Sequence, residues 1–473
     1  MLNIARGTGS GYNSLPTGTT MTGFSFSETP TFDAYGALSN DAYGSVYSVA
    51  YTRDAGGRVT QKVETISGTP TTTTYVYDGD SACTTGAPND GRLCQATIGS
   101  TVYGPYTYDA DGNRTDTGLT YDEQDRISST GYTYSPGGRL SSKTIVPDTA
   151  TYTYDVYGNL THVNRPYSLP AIDYINDSQN RRVGKIVGGT YVQGFLYDDL
   201  GRLSAELDGS GNVISQFVYG MKPNVPEYMI NTVSGTTTTY RLITDQLGSV
   251  IMVVNAASPT GTPAQVITYD PWGKILTDVE NISNGNPAVS VFQPFGFAGG
   301  LHDRDAGGSF TNDGGWVRFG ARDYDTNTGR WTSKDPIRFG GGLDVYAYCG
   351  NNPIDCIDPN GRLPPGSVPW EPIFPPQPLW DPNACTDQCD AAYATATDSC
   401  RYWGESPFGD ICPGLPEAPA TKEGFAQECI DEAEFAWSSC LAQCHGDPYF
   451  PGVPIPGATP RPYIPQWASN GRP

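Results

Sequence analysis

The chain has little charge, little histidine and no long apolar run. Charged residues are 16% of its 473 residues, against roughly 25% in an average soluble domain. The charge present is lopsided, with 28 basic and 50 acidic residues and a net charge of −22. Such a surface repels phosphate backbones, so nucleic acid is not expected as the partner of the chain as a whole. The longest apolar stretch, Val250–Ala257, falls far short of the roughly 18–20 residues of a membrane-spanning helix. Residues 1–20 lack the charged start and apolar centre of a classical signal peptide. Of the three histidines, His162 and His302 have no cysteine or histidine at zinc spacing, and His445 has only the neighbouring Cys444. No phosphate loop or serine-nucleophile motif occurs. Asp109-Ala-Asp-Gly112-Asn113 opens like a calcium loop, but its twelfth position is Thr120 rather than an acid. No metal and no cofactor is therefore expected. Few stretches carry a 3.6-residue apolar period, which argues against an all-helical fold.

What is abundant is tyrosine, at 31 residues, with 57 glycines and 39 prolines. Aromatics at 12% argue against wholesale disorder. The tyrosines sit in a repeat: aromatic-x-Tyr-Asp, two loose positions, Gly-Arg or Gly-Asn, then an apolar residue. Clear copies are Tyr106–Asn113, Tyr152–Leu160 and Phe195–Leu203, with weaker ones at Tyr51–Val59, Tyr121–Ile127, Tyr132–Leu140 and Ile172–Arg181. Turn positions 138, 158, 180 and 201 are 20, 22 and 21 residues apart. Each unit reads as a β-hairpin. Alternate tyrosines line one strand face, the aspartate caps the turn, and the glycine takes positive φ. One hairpin cannot bury its face, but a stacked array can, in one long continuous sheet.

This pattern resembles the YD repeat of Rhs (rearrangement hot spot) proteins. Downstream, Asp245–Val250, Tyr269–Gly273, Phe295–Leu301, Val317–Asp325, Thr328–Trp331, Asp335-Pro336, Tyr346–Tyr348, Asn351–Pro353 and Asp358–Gly361 follow the order of the Rhs-associated core. The resemblance covers about residues 40–362. It implies a mostly β, coiled hairpin shell, cocoon-like and partial, which in that family encloses a variable toxin tip. The expected division is an N-terminal segment (1–40), the YD array (41–240), the core (241–362), a Pro-rich linker (363–383), a Cys-rich helical hairpin (384–446) and a Pro-rich tail (447–473). The length is short for a whole enclosure, so the chain reads as the C-terminal part of a shell.

The resemblance also implies chemistry. Two Asp-Pro motifs of the Rhs core act as an intramolecular aspartyl protease that frees the tip, and here they fall on Asp335 and Asp358. Two carboxyls sharing one proton let one activate water while the other serves as the acid. Arg330, or Arg322, would position the pair or steady the oxyanion. The first motif departs from Asp-Pro-x-Gly, reading Asp335-Pro-Ile-Arg338, and the second ends Gly361-Arg362-Leu363, where the family has Gly-Leu and cuts after the leucine. Cutting after Arg362, after Leu363, or not at all are the open outcomes. On the residues alone, the two aspartates serve equally well as caps of Asp-Pro turns.

Seven of the eleven cysteines lie between Cys385 and Cys444. The spacings Cys385-x3-Cys389-x10-Cys400 and Cys429-x10-Cys440-x3-Cys444 are mirror images. An antiparallel helical hairpin would set 385 opposite 444, 389 opposite 440 and 400 opposite 429 as disulfides, with Cys412 left over; a zinc site is the alternative, but the long equal spacings favour staples. Cys83 with Cys94, and Cys349 with Cys356, are either short disulfide loops or buried thiols. Disulfides suit a protein that is secreted or at the cell surface. The function expected is that of a polymorphic toxin in competition between bacteria, with a cognate immunity protein and a secretion-system component as partners. The alternative is a non-enzymatic adhesion or carbohydrate-recognition scaffold that binds glycans.

Overall fold

The repeat's turn chemistry builds the fold. At Tyr197–Leu203 the Asp198 Oδ1 accepts the backbone N–H groups of Leu200 and Arg202 at 3.0 and 2.9 Å, while Oδ2 takes Arg202 Nε at 2.8 Å. Gly201 closes the turn at φ +77°, which costs glycine nothing. The ladder slips by one residue between Leu196 and Tyr197, a bulge at the mouth of the turn. The same arrangement recurs at Asp54, Asp122 and Asp177, each with its arginine four residues on. Asp155 and Asp208 do the same with Asn159 and Asn212.

Two further contacts join one hairpin to the next. In three units the arginine lies over the tyrosine of the following one: Arg58 over Tyr77, Arg181 over Tyr197 and Arg202 over Tyr219, at 4.6–4.7 Å from the ring centroid. That tyrosine's hydroxyl donates back to the returning strand, as Tyr77 to the Val59 carbonyl and Tyr197 to the Arg182 carbonyl, at 2.8 and 2.7 Å.

The computed structural model describes residues 2–6, 16–24, 26–83, 90–145, 147–281, 292–307 and 315–362. All of these fall in the unit Met1–Phe374. They form antiparallel sheets in strict chain order: seven strands from Thr31–Phe32 to Thr101–Tyr103, fourteen from Tyr132–Tyr134 to Ile275–Glu280, and four from Leu301–Asp303 to Arg330–Trp331, with a pair Leu2–Arg6 and Pro16–Met21. The array is thus not one continuous sheet. Between Tyr103 and Tyr132, the two units around Asp109 and Asp122 shrink to the single bridges Tyr108–Arg114 and Tyr121–Ile127. Their turns stand 13 residues apart instead of about 21, which leaves no chain for full strand arms, and Pro105 has no amide to give a ladder. Disulfides close Cys83–Cys94 and Cys349–Cys356. The expected helical hairpin, its pairs 385–444, 389–440 and 400–429, and the Pro-rich segments lie outside the described residues. Among the described residues no helix is long and apolar enough to cross a membrane.

Candidate aspartyl site

The four-stranded sheet carries three buried arginines and a buried aromatic cluster. Phe319, Tyr324, Trp331 and Tyr348 pack ring to ring, with centroid separations from 4.5 to 6.4 Å. Into this wall the strands Trp316–Phe319, Arg322–Asp325 and Arg330–Trp331 set Arg318, Arg322 and Arg330, each buried. A buried guanidinium demands carboxylate partners and acceptors for its remaining N–H groups.

Arg322 finds them in the two Asp-Pro motifs. Its Nη2 is 2.6 Å from Asp335 Oδ2 and 2.9 Å from Asp358 Oδ2, so one nitrogen joins carboxylates with 22 residues between them in the chain. Arg322 is 2% exposed as a side chain, Asp335 2% and Asp358 4%. Each aspartate also caps its own turn. Asp335 Oδ1 accepts the Ile337 N–H at 2.8 Å, and Asp358 Oδ1 accepts the Arg362 N–H at 2.9 Å. Burial raises the Asp335 carboxyl above its ordinary value; Arg322 opposes that rise and Asp358 adds to it. Burial likewise lowers Arg322, against the pull of both carboxylates. Gly341 lies against Asp335, and a Cβ there would overlap its carboxylate oxygen. The Gly340–Gly342 run thus closes over the group.

The expected residues separate in an informative way. Asp335 and Asp358 come together. Arg330 does not join them: its fork is bidentate to Asp344, at 3.0 and 3.2 Å, and its Nη2 donates to the Asp125 carbonyl at 2.8 Å. Arg322 holds the position instead. Arg362 is at the surface and reaches the site through its backbone, whose N–H also donates to Asn360 Oδ1 at 3.0 Å. Leu363 lies outside the described residues. The sequence reading missed Asp344, which pairs with Arg330 and caps Tyr346 through its N–H at 2.9 Å.

The Asp358 turn is a repeat turn with one change. At Asp122 and Asp177, Oδ2 takes the arginine four residues on. At Asp358, Oδ2 turns inward to Arg322. A cleft of about 390 Å3 runs beside this turn, with Pro359, Asn360 and Arg362 on its wall together with Tyr197, Arg202 and Tyr219.

The teneurin YD-shell family model matches residues 12–354. Similar proteins include Teneurin-3 of Mus musculus, 28% identical over 352 residues, which cover 69% of this chain and 12% of that one. Double-stranded DNA deaminase toxin A of Burkholderia cenocepacia is 26% identical over 251 residues, covering 44% of this chain and 17% of the toxin. The tRNA3(Ser)-specific nuclease WapA of Bacillus spizizenii is 28% identical over 218 residues, covering 45% and 8%. Among solved structures, the Photorhabdus luminescens Tc holotoxin pore superposes with a TM-score of 0.44 at 14% identity, over 79% of this chain and 18% of that chain. The chain spans less than a fifth of each of these proteins.

Proposed function

Since this chain belongs to the teneurin YD-shell family, we propose that it is a toxin-type shell whose Asp335 and Asp358, joined by Arg322, cut the chain just beyond Asp358 and free the C-terminal segment. One observation carries the reading: two Asp-Pro carboxyls meet at a single buried guanidinium nitrogen. A pair of turn caps has no need to share a partner. Two neighbouring carboxyls that hold one proton between them supply both the base and the acid of peptide hydrolysis. The raised Asp335 keeps that proton available at higher pH than an isolated aspartate would.

In this reading residues 41–362 are the shell and its core, and the linker 363–383, the Cys-rich segment 384–446 and the tail 447–473 form the released piece. The protein works outside the cell that makes it, secreted or at the surface, in competition between bacteria. An immunity protein answers the tip, and a secretion-system component exports the whole. The relatives named for DNA deamination and tRNA cleavage support a toxin role for the shell; the activity of this chain's own tip is a separate matter.

The test is the intact mass of the full chain from an oxidising host, beside an Asp358→Asn variant. Two fragments from the wild type and one full-length species from the variant are expected. Full-length protein from both would overturn the reading. A second reading, a recognition scaffold for glycans, draws on Tyr35 and Tyr157, which stand 91% and 78% exposed at turn tips. It predicts a chain that stays intact and binds an oligosaccharide array through those tips.

A further inference from the structure

The self-cleavage reading leaves open which bond breaks, and the site itself points to one. The Gly361–Arg362 peptide is gripped at both ends. Its carbonyl oxygen accepts Arg322 Nε–H at 2.7 Å, and its amide N–H donates to Asp358 Oδ1 at 2.9 Å. From this the geometry points to Gly361–Arg362 as the scissile bond, one residue earlier than the family pattern would place it. The inference rests on the self-cleavage reading.

Two other turns serve as internal controls. Arg330 Nη2 donates to the Asp125 carbonyl at 2.8 Å, and the Arg126 N–H donates to Asp122 Oδ1 at 3.1 Å. Arg318 Nη2 donates to the Asn180 carbonyl at 3.1 Å, and the Arg181 N–H donates to Asp177 Oδ1 at 2.9 Å. Each of these arginines also carries a core carboxylate, Asp344 or Asp323. The backbone grip is therefore a recurring device that docks turns on the core. What differs is the turn carboxyl. Asp122 and Asp177 each hold the arginine four residues on through Oδ2, at 2.8 and 2.7 Å. Asp358 instead shares Arg322 with a second aspartate. Of the three turns, only that one has two carboxyls on the arginine that polarises the carbonyl.

The step takes water as co-reactant, and the cleft lined by Pro359, Asn360 and Arg362 opens beside the turn. Asp335 passes the pair's proton to Asp358 and takes one from water as the water oxygen bonds to the Gly361 carbonyl carbon. Arg322 Nε–H holds the resulting oxyanion. Asp358 gives that proton to the Arg362 nitrogen as the C–N bond breaks. The products are a Gly361 carboxyl group and an Arg362 α-amine; the pair ends with its single proton back on Asp335, and the new carboxyl's proton passes to the amine.

The experiment is N-terminal sequencing and mass analysis of the fragments from the full chain, with Asp335→Asn, Asp358→Asn and Arg362→Ala beside it. Circular dichroism confirms that each variant folds. The expected result is a C-terminal fragment starting at Arg362 and a shell ending at Gly361. The cut falls at the same bond in Arg362→Ala, the two Asn variants stay whole, and the 125–126 and 180–181 bonds stay intact throughout. A fragment starting at Leu363 would overturn this bond assignment while sparing the self-cleavage reading. An uncut wild-type chain would overturn both. Cleavage at 125–126 or 180–181 would show that the second carboxyl is not what selects the bond.

Discussion

The Arg322 guanidinium sits over the ring of Trp331, its central carbon 4.0 Å from the ring centroid. A cation over an aromatic face is stabilised by the ring quadrupole, the more so when it is desolvated. The indole fixes the plane of the guanidinium, and so fixes where Nε and Nη2 point. With both edges of the fork committed, the site is preorganised before any chemistry.

Removing that cation leaves two buried carboxylates facing each other. Arg322→Met should destabilise the fold by about 3–5 kcal/mol, the scale for breaking a buried ion pair from one side. Adding Asp335→Asn and Asp358→Asn to that variant should recover a large part of the loss, since the stranded charges are then gone. Chemical denaturation of the single and triple variants measures both; equal stability would show that the charges do not depend on Arg322.

Gly341→Ala is a steric probe of the same site. Its added methyl overlaps the Asp335 carboxylate oxygen, so the carboxyl must move from Arg322. Self-cleavage should fall at least tenfold while the sheet content by circular dichroism is unchanged. Gly201→Ala tests the backbone alone, because the space around it is open but φ is +77°. It should cost about 1–2 kcal/mol and leave cleavage unaffected.

Stability should also depend on pH between mild acid and mild base. Burial, with the nearby charge of Glu28, pushes Asp41 from 3.8 up to about 8, against Lys222 and Arg241. Burial brings Glu206 to about 7. Between their ordinary and raised values, the folded chain holds protons that the unfolded chain releases. Stability therefore falls as pH rises through that window. The melting temperature at pH 6 should exceed that at pH 8.5, and Asp41→Asn should flatten the difference. A melting temperature that rises over this range would contradict the assignment.

The repeat arginines should act between hairpins. Arg202→Lys keeps the charge but loses the fork on Asp198 and the stacking on Tyr219. It should cost about 1 kcal/mol. Arg202→Lys in a Tyr219→Leu background should cost measurably less; a double-mutant cycle by denaturation reads the coupling, and strict additivity would rule it out.

The Tyr-Asp…Gly-Arg unit was legible because its information is local: capping, positive φ and alternation all sit within nine residues. What the unit does to its neighbour was not, because Arg181 and Tyr197 meet only after the sheet has stacked. The same limit applied at the candidate site. Asp335 and Asp358 could be picked out by motif. Choosing between Arg322 and Arg330 by nearness in sequence favours Arg330, five residues before Asp335. The hairpin decides otherwise: Arg322 is set against Asp335 and Asp358, while Arg330 faces Asp344. The break of the array near Asp109 and Asp122 was readable from their close spacing, once a full strand arm is counted as needing about 21 residues per unit.

The Arg-over-Tyr contact gives the array a grammar of growth. Arg58, Arg181 and Arg202 each give their hairpin a cation for the next, whose tyrosine ring receives it. A duplication or deletion that joins two such units rejoins matching halves of this contact. A partial insertion strands a guanidinium and a ring at the seam it enters. Such a chain can change length during evolution by recombination between its own repeats and still close onto the same core, with the arginine row of residues 318, 322 and 330 as the fixed dock at the end.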